Sequence, residues 1–281
     1  MADTVSQASK SLDPEPGKLV FPVALVDKIP MDEKEYRDFE ALVLQVLQNE
    51  GMNVPQKLFS VYLLTGETVR AKQGKSPPRG LDEVIKDAKQ AGTETECPKA
   101  RLIRGLFFSF LDRDPTSEAP KAGFGAMIGI LRDMAKVFLN MGSVFLQRLN
   151  RSVSIPQVDK ITVSPLRGEI DARFLEFFTG LVRSGWLGGQ SSIHAGVCLM
   201  IVALSLGEWL VRALAAAAGR SAPTGEDLTH AMDFLQTEFG KRSTALTRMV
   251  SGSAFFALFD ALMQRPSVAC SLANLGREKI S

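Results

Sequence analysis

Ser191 to Gly219 read SSIHAGVCLMIVALSLGEWLVRALAAAAG, the longest and most apolar stretch of the chain. The 13 residues from Ala195 to Gly207 include no charge. A helix built from them is apolar on every side and needs protein around its whole circumference. The spacing predicts the central helix of a bundle. A membrane span fits less well, because it needs about 20 apolar residues and Glu208 and Arg212 interrupt the run.

Helical periodicity continues on both sides of this stretch. Asp32 and Glu35 form a capping-box pattern ahead of Tyr36, Phe39, Val43, Val46 and Leu47, a helix that ends near Gly51. Pro55 opens a second helix carrying Leu58, Phe59, Tyr62, Leu63 and Val69, and GKSPPRG ends it. Further amphipathic helices are predicted over Leu81 to Ala91, from Pro98 to Leu111, and over Phe124 to Leu149. Ile170 to Arg183 forms another, Thr224 and Asp227 cap one that reaches Phe239, and a last runs from Ser243 to Gln264, where Pro266 stops it. Strand signals are few. Leu19 to Val26 is an edge strand limited by Pro22, and the β-branched connector from Arg151 to Gly168 has room for a short extended pair.

The fold class that follows is all-α, a bundle of about eight or nine helices around residues 191–219, with at most a minor β pair. Composition divides the chain into a polar tail (1–17), an N-terminal helical subdomain (18–111), a C-terminal bundle (124–264) and a second tail (265–281). The loop Asp112 to Gly123 marks the boundary, unless the two helical parts form one continuous domain.

The totals narrow the function classes. With 33 basic and 31 acidic residues the net charge is +2, and no basic stripe marks a nucleic-acid partner. Cys97, Cys198 and Cys270 have no C-x-x-C or histidine pairing along the sequence, so no metal or cofactor is expected. Cys198 reads as a small buried hydrophobe. The acidic, proline-containing start is unlike a secretory signal, and cytoplasmic residence is expected.

Candidate chemistry is sparse. His194 stands beside Ser191 and Ser192, but no nucleophile elbow accompanies it. AGFGAMIG, from Ala122 to Gly129, echoes a phosphate loop without the preceding strand or the lysine-plus-hydroxyl ending, and close helix packing explains it better. Arg101, Arg104, Arg148 and Arg151 read as solvated faces unless they converge. Glu208 and Arg212 stand four apart in the apolar helix. If buried, such a pair marks either a cleft or a device fixing helix register. His194, Glu208, Trp209 and Arg212 are therefore the candidate pocket residues. Glu208 is expected to be at least partly buried and to pair with Arg212 or with a basic residue of the neighbouring helix, for example Arg183.

EYRDFEALVLQVLQNEGMNVPQKLFSVYLL, Glu35 to Leu64, and the segment from IDARFLEFFTGLVRSGWLGG to the closing helix, Ile170 to about Leu262, resemble the helical part of the flagellin lysine-N-methylase family and related bacterial cysteine-cluster proteins. The resemblance implies a helical architecture and a protein substrate or partner. That family's cysteines precede the matched region, whereas this chain has none before Cys97, so no cluster ligand carries over. The expected function is a bacterial cytoplasmic accessory or protein-interaction module, for which a homo-oligomer is compatible. The alternative is a protein-modifying, lysine methyltransferase-like enzyme, or a ligand-binding helical protein with a pocket near Glu208 and Arg212.

Overall fold

The computed structural model describes residues 19–26, 29–75, 77, 79–91, 98–111, 132, 135–136, 139–146, 151–240 and 254–275. The expected tail 1–17, the loop 112–123 and the glycine cluster 122–129 lie outside them, as do most of the helix expected over 124–149 and the first half of the one expected over 243–264.

Strands β1 (Val23–Val26) and β2 (Ile29–Met31) form an antiparallel hairpin, followed by helices α1 (Glu33–Gln48), α2 (Val54–Lys72), α3 (Leu81–Ala91) and α4 (Pro98–Leu111). A second antiparallel hairpin, β3 (Ser143–Leu146) with β4 (Arg151–Ser154), leads into the short α5 (Ile155–Val158) and then α6 (Arg167–Arg183). Helix α7 (Ile193–Ala217) is the long apolar one. After it come α8 (Gly225–Leu235), a π-turn over Gln236–Gly240, α9 (Ala254–Met263) and α10 (Pro266–Ala273). The protein is predominantly helical, as the sequence predicts, and the described residues include two small two-stranded sheets.

Helix starts follow local chemistry. Asp32 caps α1 in a capping box with Glu35, and Thr224 does the same for α8 with Asp227. Asn53 caps α2 with Gln56, so Pro55 sits inside the first turn rather than opening it. Helix α7 starts where Ser192 Oγ accepts from the Ala195 N–H. It is long and apolar enough to cross a membrane by length and composition, yet its most apolar window is entirely buried by protein. Helices α2, α4, α5, α8 and α10 and strands β1 and β4 all pack on it. One hydrophobic core accordingly runs through both halves of the chain, from Val23 to Leu275.

Three expectations are corrected. The segment expected to stay helical to Leu149 leaves the helix at Asn140, whose φ of 52° is left-handed, and Ser143–Leu146 is a strand. Asn140 acts as the helix-ending residue, and Met141 N–H donates back to the Lys136 carbonyl at 2.9 Å. The helix expected to stop at Pro266 does end before it, at Met263, and Pro266 then opens a further helix, α10, because proline is tolerated in a first helical turn. Six residues of the expected 265–281 tail, Val268 to Ala273, are buried; residues 276–281 lie outside the described part. Arg104, expected on a solvated face, is buried, while Arg151 is exposed and Arg148 lies outside the described residues.

Candidate functional site: a polar stripe on the buried helix

Helix α7 has five polar side chains, His194, Cys198, Ser205, Glu208 and Arg212, and all five are buried. Their spacing of four, seven, three and four places them within a sector of about 80° on a 3.6-residue helix. The remaining faces are apolar or glycine, apart from the amphipathic Trp209 beside the stripe. Of the four residues singled out from the sequence, His194, Glu208 and Arg212 share this stripe. They do not share one pocket, since 14 residues separate His194 from Glu208, about 21 Å along the axis.

At the N-terminal end, His194 Nε2 lies 3.5 Å from Cys198 Sγ, one turn along. The Tyr62 ring of α2 packs on the imidazole with centroids 5.5 Å apart, and the Tyr62 hydroxyl donates to the Met263 carbonyl of α9 at 2.7 Å. Burial pushes the His194 pKa down, with the Asp260 charge opposing it. Burial, helped by Asp260, pushes the Cys198 thiol well up. Both groups are thus held neutral. A nucleophilic cysteine needs the opposite, an electropositive setting that lowers its pKa. Among the described residues no group of three His, Cys, Asp or Glu side chains could hold a metal ion.

Ser205 sits in the middle of the stripe, its Oγ buried without a hydrogen-bond partner among the described residues. Toward the C-terminal end, Glu208 is 4% exposed and accepts from Arg167 NH1 of α6 at 2.9 Å. Arg167 also contacts Asp171 at 3.4 Å. Burial weakens the Arg167 charge, but Glu208 and Asp171 outweigh it and raise its pKa. Lys57 of α2 is buried nearby in the field of Asp171 and Glu50, and burial lowers its pKa against both carboxylates. Glu208 therefore pairs with a basic residue of the neighbouring helix, as expected, and that residue is Arg167 at the start of α6 rather than Arg183 at its end. Arg183 lies exposed at the end of α6, and Arg212 is buried one turn beyond Glu208.

The His194–Cys198 contact had a signal, a four-residue spacing on one helix. Tyr62 and Arg167 had none, being 132 and 41 positions from their partners. Trp209 is buried in the core. His230, the other histidine, is exposed on α8. Comparison of the chain with family models, curated proteins and solved structures finds no match.

Proposed function

We propose that this chain is a cytoplasmic accessory or protein-interaction module whose chemistry-bearing residues serve the fold. The observation that supports this most is the engagement of the two ends of the stripe. The imidazole meets the thiol, the tyrosine hydroxyl meets a carbonyl, and Glu208 meets an arginine that Asp171 also holds. Side chains committed to one another in a helix covered on all sides are arranged to specify packing. Kinship to the helical part of the flagellin lysine-N-methylases belongs to the same proposal and rests on the spacing of residues 35–64 and 170–262.

Two measurements test it. Anaerobic purification is expected to give a chain without a stoichiometric iron-sulfur absorbance band; such a band from the isolated chain overturns the reading. Affinity purification from the native host is expected to recover the same partner with His194→Gln and Cys198→Ala as with the unaltered chain. Loss of the partner from variants that melt normally would make those groups functional and favour the enzymatic alternative.

A further inference from the structure

Of the 11 side chains of α3 two are buried, Val84 and Ala88, whereas 11 of 19 are buried in α2 and 22 of 25 in α7. Leu81, Ile85 and Ala91 are half-buried against the core, and Asp82, Glu83, Lys86, Lys89 and Gln90 face solvent. The helix packs on α2. Eleven residues are too few for a helix to persist in water by itself. Helix α3 therefore keeps its form while it lies on α2 and loses it when it leaves.

Polar contacts fasten it at both ends. Ahead of its first residue, Arg79 Nε donates to Glu67 Oε1 of α2 at 2.9 Å, and Arg79 NH2 lies 2.8 Å from the same oxygen. The third nitrogen, NH1, donates to Asp87 Oδ2 in the second turn of α3 at 2.6 Å. One guanidinium thus ties α2 to α3. Glu67 is 3% exposed and also accepts from Arg70 NH1, within α2, at 2.8 Å. At the other end the Cys270 thiol of α10, itself buried, donates to the carbonyl of Ala91, the last residue of α3, at 3.2 Å. A bond from a guanidinium to a carboxylate closed to water is strong, and a thiol is a weak donor, so the two fastenings are unequal.

We propose that α3 is a flap that opens from α2 and α10 while the helices around α7 stay folded, that Arg79 is its clasp, and that opening uncovers the Cys270 thiol. Elements with few buried contacts open at a lower free energy than the whole molecule. Opening brings Val84, Ala88 and the α2 surface beneath them into water, a small loss beside the burial of α7. It also parts Arg79 from Glu67, which keeps Arg70. The Arg79–Asp87 pair travels with the flap and is half-exposed, at 37% and 45%, so it adds little to the closed form. The difference between closed and open is therefore concentrated in the contact of Arg79 with the buried Glu67 carboxylate.

The test is hydrogen exchange of the full chain read by mass spectrometry, with iodoacetamide labelling of Cys270 followed on the same samples. In the unaltered chain the amides of Val84–Ala91 are expected to exchange about a hundredfold or more faster than those of Val197–Leu206 in α7. Arg79→Met is expected to speed α3 exchange and Cys270 labelling together by about tenfold and to leave α7 unchanged. Asp87→Asn should change both by less than about threefold. Arg79→Lys keeps the charge without the planar fork; its rates should fall between those of the unaltered chain and Arg79→Met, and it takes the place of the Met variant if that one does not fold. Exchange of α3 in step with α2 and α7, or an Arg79 variant that speeds α3 and α7 equally, makes α3 part of the global unit and overturns the flap. An α3 rate that neither Arg79 variant changes overturns the clasp, and Cys270 labelling that stays constant while α3 exchange rises overturns the cover.

Discussion

Glu208 is one of four buried carboxylates among the described residues, and it stands in the middle of the apolar helix. Only one side of its pair with Arg167 is closed to solvent, since Arg167 remains 26% exposed and keeps Asp171. Breaking a fully buried pair costs about 3 to 5 kcal/mol, and a stranded guanidinium that can still reach water costs less. Glu208→Gln is expected to destabilise by about 2 to 3 kcal/mol, read as a lower urea midpoint at unchanged slope. A double-mutant cycle with Arg167→Met should return a coupling of about 1 to 3 kcal/mol, and additive effects would show that the two side chains meet without holding each other. His194 gives a pH signature. Its folded pKa lies below the ordinary value of 6.5, so the unfolded chain takes up the proton first as pH falls. Stability is therefore full above that value and declines as pH drops through it toward the depressed folded value. His194→Gln should flatten the dependence of melting temperature between about pH 7 and pH 5.

Gly207, on the side of α7 away from His194, is where neighbouring helices leave least room for a side chain among the described glycines. A Cβ there would lie 2.5 Å from Phe174 Cζ of α6 and 2.7 Å from Leu235 Cδ1 of α8, and both side chains are fully buried. Alanine gains about 1 kcal/mol in helix propensity but forces two packed helices apart. Gly207→Ala is expected to destabilise by about 1 to 3 kcal/mol net, and a calorimetric melt that rises instead would mean that the α6–α7–α8 junction has room to spare. Such contacts also mark where sequence reading stops. Helices α1, α2, α6 and α8 were legible because caps and apolar spacing are local, whereas Glu208 found its partner 41 positions upstream in the first turn of α6, which no local pattern encodes. The helix expected to reach Leu149 was overrun because Phe145 and Leu149 fit a helical period equally well. The decision lay in Asn140 and Gly142, two residues able to adopt left-handed φ. The stripe itself was half legible: its spacing is written in the sequence, but its burial depends on which elements surround α7.

At the scale of the whole molecule, α7 is a shared core element, and the chain's last described helix completes its cover. Helix α10 packs on α2 and α4 from the first half and on α7 from the second. It buries Val268, Ala269, Cys270, Leu272 and Ala273, with Leu275 just beyond, and the Cys270 thiol donates to the Ala91 carbonyl at 3.2 Å, closing the end of α3. Burying the larger aliphatic side chains contributes about 1.5 to 3 kcal/mol each, and three of these six are Val or Leu. Their loss approaches the total stability of an ordinary domain, about 5 to 15 kcal/mol. It would also uncover α7 on the side that α10 occupies. A chain ending at Arg265 is expected to lose its cooperative urea transition and to bind a hydrophobic dye while keeping most of its far-ultraviolet helical signal, the behaviour of a compact state without fixed packing. If the truncated chain instead unfolds in a single transition with the same slope as the full chain, α10 is an appendage, and the continuous core running from the N-terminal hairpin to Leu275 does not form one cooperative unit.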